Sequence, residues 1–208
     1  MTSPAWSTRL YEAADEVVWA ARLTLLTAAG TLASGVVLGI GPATLAAYTV
    51  ARRHALGESF QVWSAFAAAY RREFRRGNAL VLPLAAMAIL LVTNYFYFAS
   101  LGPVAAAARL ATRAALVATA VIAAYLLPMA VHYDLRAAAY VPKASLFALT
   151  RPAASVLLLL VLTAIGYAVA AYPFLVVVAI GGWIQLDTWL CLRFFAENEA
   201  RRQAKGAS

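Results

Sequence analysis

Long apolar runs constrain this chain more than any other feature. Each is close to the length at which a helix crosses a hydrocarbon layer, about 20 residues at 1.5 Å rise per residue. They occupy residues 18–40, 79–100, 112–131, 153–171 and 173–195. Of the 208 residues, 64% are hydrophobic, against about 45–50% in soluble domains. One soluble core of this size cannot cover so much apolar surface. The pattern predicts an all-α integral membrane helical bundle, a single domain of about five transmembrane helices.

Charge gives the expected orientation. Net charge is +8, from 17 Lys and Arg against 9 Asp and Glu, and the cations sit at the ends of the apolar runs. The first connection holds Arg52, Arg53, Arg71, Arg72, Arg75 and Arg76. The third holds Arg136, Lys143 and Arg151, and a basic tail covers 196–208. Arg109 and Arg113 lie by the second connection, and the fourth is uncharged. Cytoplasmic connections of bacterial inner-membrane proteins are rich in Lys and Arg. The expected topology is therefore multi-pass, with the N-terminus outside and the C-terminus cytoplasmic. Glu12, Asp15 and Glu16 suit an outer N-terminus, and Trp6, Leu10, Ala14 and Val17 give residues 4–16 an amphipathic pattern suited to the outer surface. The acidic residues also argue against a cleavable signal peptide. Basic residues at membrane ends imply contact with a bilayer whose inner leaflet is anionic, and no nucleic-acid partner.

The connection between the first two runs is the most structured. Gly41-Pro42 predicts a helix break, because proline lacks an N–H and clashes with the preceding turn. A short interfacial helix over 42–54 would follow. Residues 60–76 then form an amphipathic pattern. Phe60, Trp63, Phe66, Tyr70 and Phe74 share an arc of roughly 120°, with Arg71, Arg72, Arg75 and Arg76 on the adjoining arc. This predicts a cytoplasmic-side interfacial helix. Trp63 and Phe66 would enter the membrane, and the four arginines would bind lipid headgroups or dock a partner.

Inside the runs, Asp187 is the sharpest residue. A carboxylate at the centre of a spanning helix costs about 2.5–3.5 kcal/mol on insertion scales, so it must face protein or water. Gln185 and Thr188 add polarity beside it. Two readings follow: a proton or ligand site completed by an arginine such as Arg151, or a hydrogen bond that holds the bundle. Pro128, with His132, Tyr133 and Asp134 after it, predicts a kink and an interfacial polar cluster. Gly35 and Gly39, and Gly166 and Ala170, have the four-residue spacing that permits close helix packing. His54 and His132 are the only histidines and Cys191 the only cysteine. No metal site, cofactor or catalytic residue is expected, and the chain does not read as an enzyme.

The block Gly39-Ile-Gly-Pro-Ala-Thr-Leu-Ala-Ala-Tyr48, the helix with Trp63, Phe66 and Arg72-Glu73-Phe74, then Tyr125-Leu-Leu-Pro128 and His132-Tyr-Asp134 resemble the YesL-like family of bacterial membrane proteins. The resemblance implies a small multi-pass protein without an agreed activity. Genes of that family often lie beside carbohydrate-uptake ABC transporters, glycoside hydrolases or a sensor kinase pair. It therefore implies a non-enzymatic accessory protein of sugar uptake or sensing, with an ABC transporter permease or a sensor kinase as partner. Members carry neutral residues where this chain has Asp187, so the resemblance assigns Asp187 no shared role. The alternative is a small transporter or permease with a polar intramembrane site around Asp187.

Overall fold

A computed structural model describes the backbone of residues 5–206 and the side chains of residues 11–197. Eight α-helices follow one another within it: α1 Ala5–Ala33, α2 Val36–Ala55, α3 Val62–Arg72, α4 Phe74–Ser100, α5 Ala106–His132, α6 Ala137–Thr150, α7 Pro152–Ala171 and α8 Val176–Gly206. Short 3-10 turns at Gly102–Ala105 and Pro173–Leu175 join α4 to α5 and α7 to α8. The protein is an all-helical membrane bundle. Among the described residues, four segments are long and apolar enough to cross a membrane: Phe74–Ser100, Gly102–His132, Pro152–Ala171 and Pro173–Glu197. These correspond to the last four runs of the sequence.

The first run does not form the expected spanning helix. It breaks at Ser34-Gly35, where Gly35 adopts φ 70°, a conformation that costs glycine little and other residues more. The chain folds back, and α2 runs antiparallel along α1. Near the tip, a Cβ at Gly39 would overlap the Thr31 carbonyl. At the open end, Trp19 stacks on His54 with ring centroids 3.9 Å apart. The tip is apolar, exposing Leu32, Val36, Val37 and Leu38. The hydroxyls of Thr24, Thr27 and Thr31 donate to carbonyls four residues earlier in α1, which satisfies them in dry surroundings.

Gly41-Pro42 also departs from expectation. Pro42 lies inside α2, and the helix continues through it to Ala55. The 42–54 segment is not interfacial: Ala43, Leu45, Ala46, Ala47, Tyr48, Val50 and Ala51 are among the most buried residues of the protein. Small side chains make this possible, because they let neighbouring backbones come close. Gly41 and Gly77 bring α2 and α4 together, and a Cβ on either would lie 2.7 Å from the other's carbonyl carbon. One hydrophobic cluster joins Trp19, Leu23, Leu26, Tyr48, Phe66 and Ile184. A second joins Leu45 of α2 to Leu80, Tyr125, Met129, Tyr140, Leu158 and Phe195. Helix α2 contributes to both and is the axis of the bundle.

The hairpin brings the first half of α1 back to the end of α2. The Glu16 carboxylate lies 3.6 Å from His54 Nε2, so the start of α1 sits at the Arg52-Arg53-His54 end of α2. At the far end of the chain, Phe195 stacks on His132, whose neighbours Tyr133 and Asp134 line a cleft with Arg52, Arg53, Arg72 and Arg76. Glu16 of α1 and Phe195 of α8 thus lie at the same end of the bundle. Residues 5–16 belong to α1 itself and form no separate segment; residue 4 and the side chains of Trp6 and Leu10 lie outside the described residues, as do the tail side chains beyond Glu197. The third connection, expected as a loop, contains α6, whose Tyr140 and Ala144 are buried.

Candidate functional site

Polar side chains concentrate at the arginine-bearing end, and the α3–α4 corner organises them. The expected 60–76 helix is two helices. Helix α3 ends at Arg72, Glu73 forms the corner, and α4 starts at Phe74. The corner divides the four arginines. Arg71 and Arg75 are exposed. Arg72 Nε donates to Glu73 Oε1 at 2.9 Å, and its side chain is largely exposed. Arg76 points into the protein. Its Nη2 donates to the carbonyls of Ala130 (2.9 Å) and Tyr133 (3.2 Å) and to the Tyr140 hydroxyl, while Nη1 lies 3.5 Å from Glu73. It therefore ties α4 to the end of α5 and to α6. Tyr140 completes the tie, accepting from the Leu135 N–H and donating to the Tyr133 carbonyl.

The aromatic pair is divided as well. Phe66 is 6% exposed and packs against Gly30 and Ala43 of the hairpin, so it is core rather than membrane anchor. Trp63 is 73% exposed. Tyr70 donates to Ser34 Oγ at 2.8 Å, fastening α3 to the hairpin tip.

Between α2, the α3–α4 corner and the end of α5 lies an open cleft of about 630 Å³. Its walls include Thr49, Arg52, Arg53, Glu58, Arg72, Glu73 and Arg76. Arg53 Nε pairs with Glu58 at 2.6 Å. Glu73 is 8% exposed and shared by Arg72 and Arg76. Asp134 lies 3.9 Å from Arg76 and is fully exposed.

Inside the bundle, Asp187 has no measurable exposure. Tyr48 of α2 donates its hydroxyl to Asp187 Oδ2 at 2.6 Å, and the Cys191 thiol lies 3.7 Å from Oδ1. Arg151 does not reach this site. It pairs with Glu197 at 3.0 Å and lies over the Phe194 ring. Gln185 does not join it either. Two residues from Asp187, it faces α1 and accepts from Trp19 Nε1 at 3.1 Å. Thr188 donates to the Ile184 carbonyl within its own helix. The site is thus a three-residue cluster across α2 and α8. Its partners Tyr48 and Cys191 were not legible beforehand, since a tyrosine 139 residues away leaves no trace in local spacing. Only the run of small residues around Tyr48 hinted that its surroundings would be crowded.

The other packing signals divide similarly. Gly35 serves the turn and Gly39 the close approach, so the pair does not act as one packing stripe. Gly166 faces open space. Gly181 provides a contact the spacing did not suggest: a Cβ there would overlap the Ala20 carbonyl, and its N–H donates to Thr24 Oγ1 at 2.9 Å.

Residues 20–95, which hold the second half of α1, all of α2 and α3 and most of α4, match the family described as "Protein of unknown function, DUF624". The chain is also 34% identical over 145 residues to the "Uncharacterized protein YesV" of Bacillus subtilis (strain 168), covering 69% of this chain and 70% of that relative. The chain belongs to the YesL-like DUF624 family. The DUF624 match includes Gly41, Tyr48, Arg52 and the Arg71–Arg76 corner, and ends before Asp187. No solved structure matches the chain.

Proposed function

We propose that this DUF624 protein is a non-enzymatic accessory component of the bacterial inner membrane that docks a membrane or cytoplasmic partner at its arginine-bearing end. The observation that carries the reading is the exposure of Trp63, Arg71 and Arg75 around the α3–α4 corner, which no contact among the described residues explains. Aromatic and arginine side chains are enriched where interfaces take their binding energy. The same end bears Arg52, Arg53, Arg72, Arg136 and Arg151, against Arg109 and Arg113 near the other, so it is the cytoplasmic one by the distribution of Lys and Arg. On this reading both chain ends are cytoplasmic, and Arg71 and Arg75 each contribute about 1 kcal/mol of attraction to an anionic leaflet or an acidic partner. The family resemblance supplies the partner class: the permease of a carbohydrate ABC transporter, or a sensor kinase.

Co-purification with such a permease after mild solubilisation tests the reading. Replacing Arg71 and Arg75 by Gln together should abolish co-purification while membrane insertion stays normal. Undiminished co-purification removes this corner as the docking face.

The Asp187 cluster supports a structural role better than a permeation path. Tyr48 and Cys191 occupy its two oxygens, and the void next to Tyr48 is only about 10 Å³, no more than one water. A permease would lose or alter solute flux in Asp187→Asn vesicles, whereas an accessory protein would have no such flux to lose.

A further inference from the structure

The cleft at the arginine end contains one cation too many. Four guanidinium groups line it, those of Arg52, Arg53, Arg72 and Arg76, against the carboxylates of Glu58, Glu73 and Asp134. Each carboxylate has an arginine: Glu58 is held by Arg53, Glu73 by Arg72 and Arg76, and Asp134 lies near Arg76. Arg76 is further committed to two carbonyls and the Tyr140 hydroxyl. Arg52 is left over. It is half-buried, its side chain makes no hydrogen bond or ion pair among the described residues, and its Nε is cut off from solvent without an acceptor. A buried donor without a partner costs free energy, more when it is charged. Its side chain also lines the cleft without a counter-charge among the described residues, a position suited to an anion arriving from outside.

We infer that this cleft binds a phosphate group, with Arg52 as its principal ligand and the unused ends of Arg53 and Arg72 beside it. Arg53 and Arg72 engage their carboxylates through Nε, which leaves their Nη donors available. Guanidinium forks match phosphate oxygens two at a time. A carboxylate is already satisfied by one arginine, as Glu58 is by Arg53. Three forks on one cleft call for the greater number of acceptors and the higher charge that a phosphate carries. At about 630 Å³ the cleft has room for the group that bears the phosphate. The source is either the headgroup of an anionic lipid, since the cleft lies where α4 begins its span, or a soluble phosphate ester. The site is distinct from exposed Arg71 and Arg75, so loss of docking there and loss of phosphate binding here are separable results.

The test uses the full chain, stripped of lipid in neutral detergent, with two kinds of probe at fixed ionic strength. Inorganic phosphate and glycerol phosphate are titrated by calorimetry, with acetate as comparison. Retention of phosphatidic acid and phosphatidylglycerol, against phosphatidylcholine, is read by native mass spectrometry. We expect saturable binding in at least one arm, weaker for acetate or phosphatidylcholine. Arg52→Gln should reduce it about tenfold or more, and Arg109→Gln, near the opposite end of the bundle, should leave it unchanged. Arg53→Gln, at a half-exposed position, is the second variant and should also weaken binding. Binding of soluble phosphate identifies a soluble ester as the source, and retention of anionic lipid without it identifies a headgroup. Absence of binding in both arms, or binding that neither variant weakens, overturns the site.

Discussion

Tyr48 donates its hydroxyl to Asp187 at 2.6 Å, joining α2, the axis of the bundle, to α8, the last spanning helix. Both residues are almost fully buried, and among the described residues Asp187 has no cation partner. The bond therefore works as a tether inside the protein. Tyr48→Phe keeps the ring and removes the donor, leaving a buried carboxylate oxygen unsatisfied. We expect a loss of about 1–3 kcal/mol, read as a lower unfolding midpoint in detergent. In a double-mutant cycle with Asp187→Ala, the two losses should be less than additive, because they remove one interaction. Strict additivity would show that the pair does not couple α2 to α8.

Gly41 and Gly77 allow a second close approach, between α2 and α4. Gly41→Ala places a methyl 2.5 Å from Asn78 Oδ1 and 2.7 Å from backbone atoms. Backbone cannot move aside as a flexible side chain can, so the helices must part, at a cost of about 1–3 kcal/mol. Gly166→Ala meets nothing within 4 Å and should be neutral or slightly stabilising. Equal effects at the two positions would contradict the packing described for α2.

Arg76 should matter more to stability than its exposed neighbours. Arg76→Gln removes the charged donors that hold the end of α5 and leaves Glu73 with Arg72 alone. A loss of about 2–3 kcal/mol is expected. Arg71→Gln and Arg75→Gln should each stay within about 0.5 kcal/mol, as exposed positions do. Thermal unfolding of the three variants side by side separates the two classes.

The folded-back hairpin makes a topological prediction. With Cys191 replaced by Ser, single cysteines at Glu12 and Glu58 should react with an impermeant thiol reagent from the same side of the membrane. A cysteine at Val104, which is 97% exposed in the turn at the opposite end, should react only from the other side. Labelling of Glu12→Cys from the Val104 side would mean that residues 18–40 cross the membrane as one helix.

What could be read from the chain alone followed from local quantities. The last four apolar runs became helices long and apolar enough to cross a membrane because length and hydropathy are properties of a window. The polar end was visible in the placement of arginine. The first run misled because its hydropathy is continuous across Gly35. Only a positive φ at that glycine turns one run into a hairpin, and glycine permits either course. Pro42 misled in the opposite sense, since α2 continues through it to Ala55.

Residues 60–76 show the same division. Their amphipathic period is real, and it placed Phe66 and Arg71 on different faces. Whether the apolar face meets lipid or protein was decided by the hairpin that covers Phe66, and Arg76 turned inward because the end of α5 offers it carbonyl acceptors. Composition and periodicity determined that this is a helical membrane protein with one basic end. The tertiary structure alone decided that α2 is its axis, that Asp187 is met by Tyr48, and that Arg52 is left without a counter-charge among the described residues, because those facts depend on contacts between residues far apart in the chain.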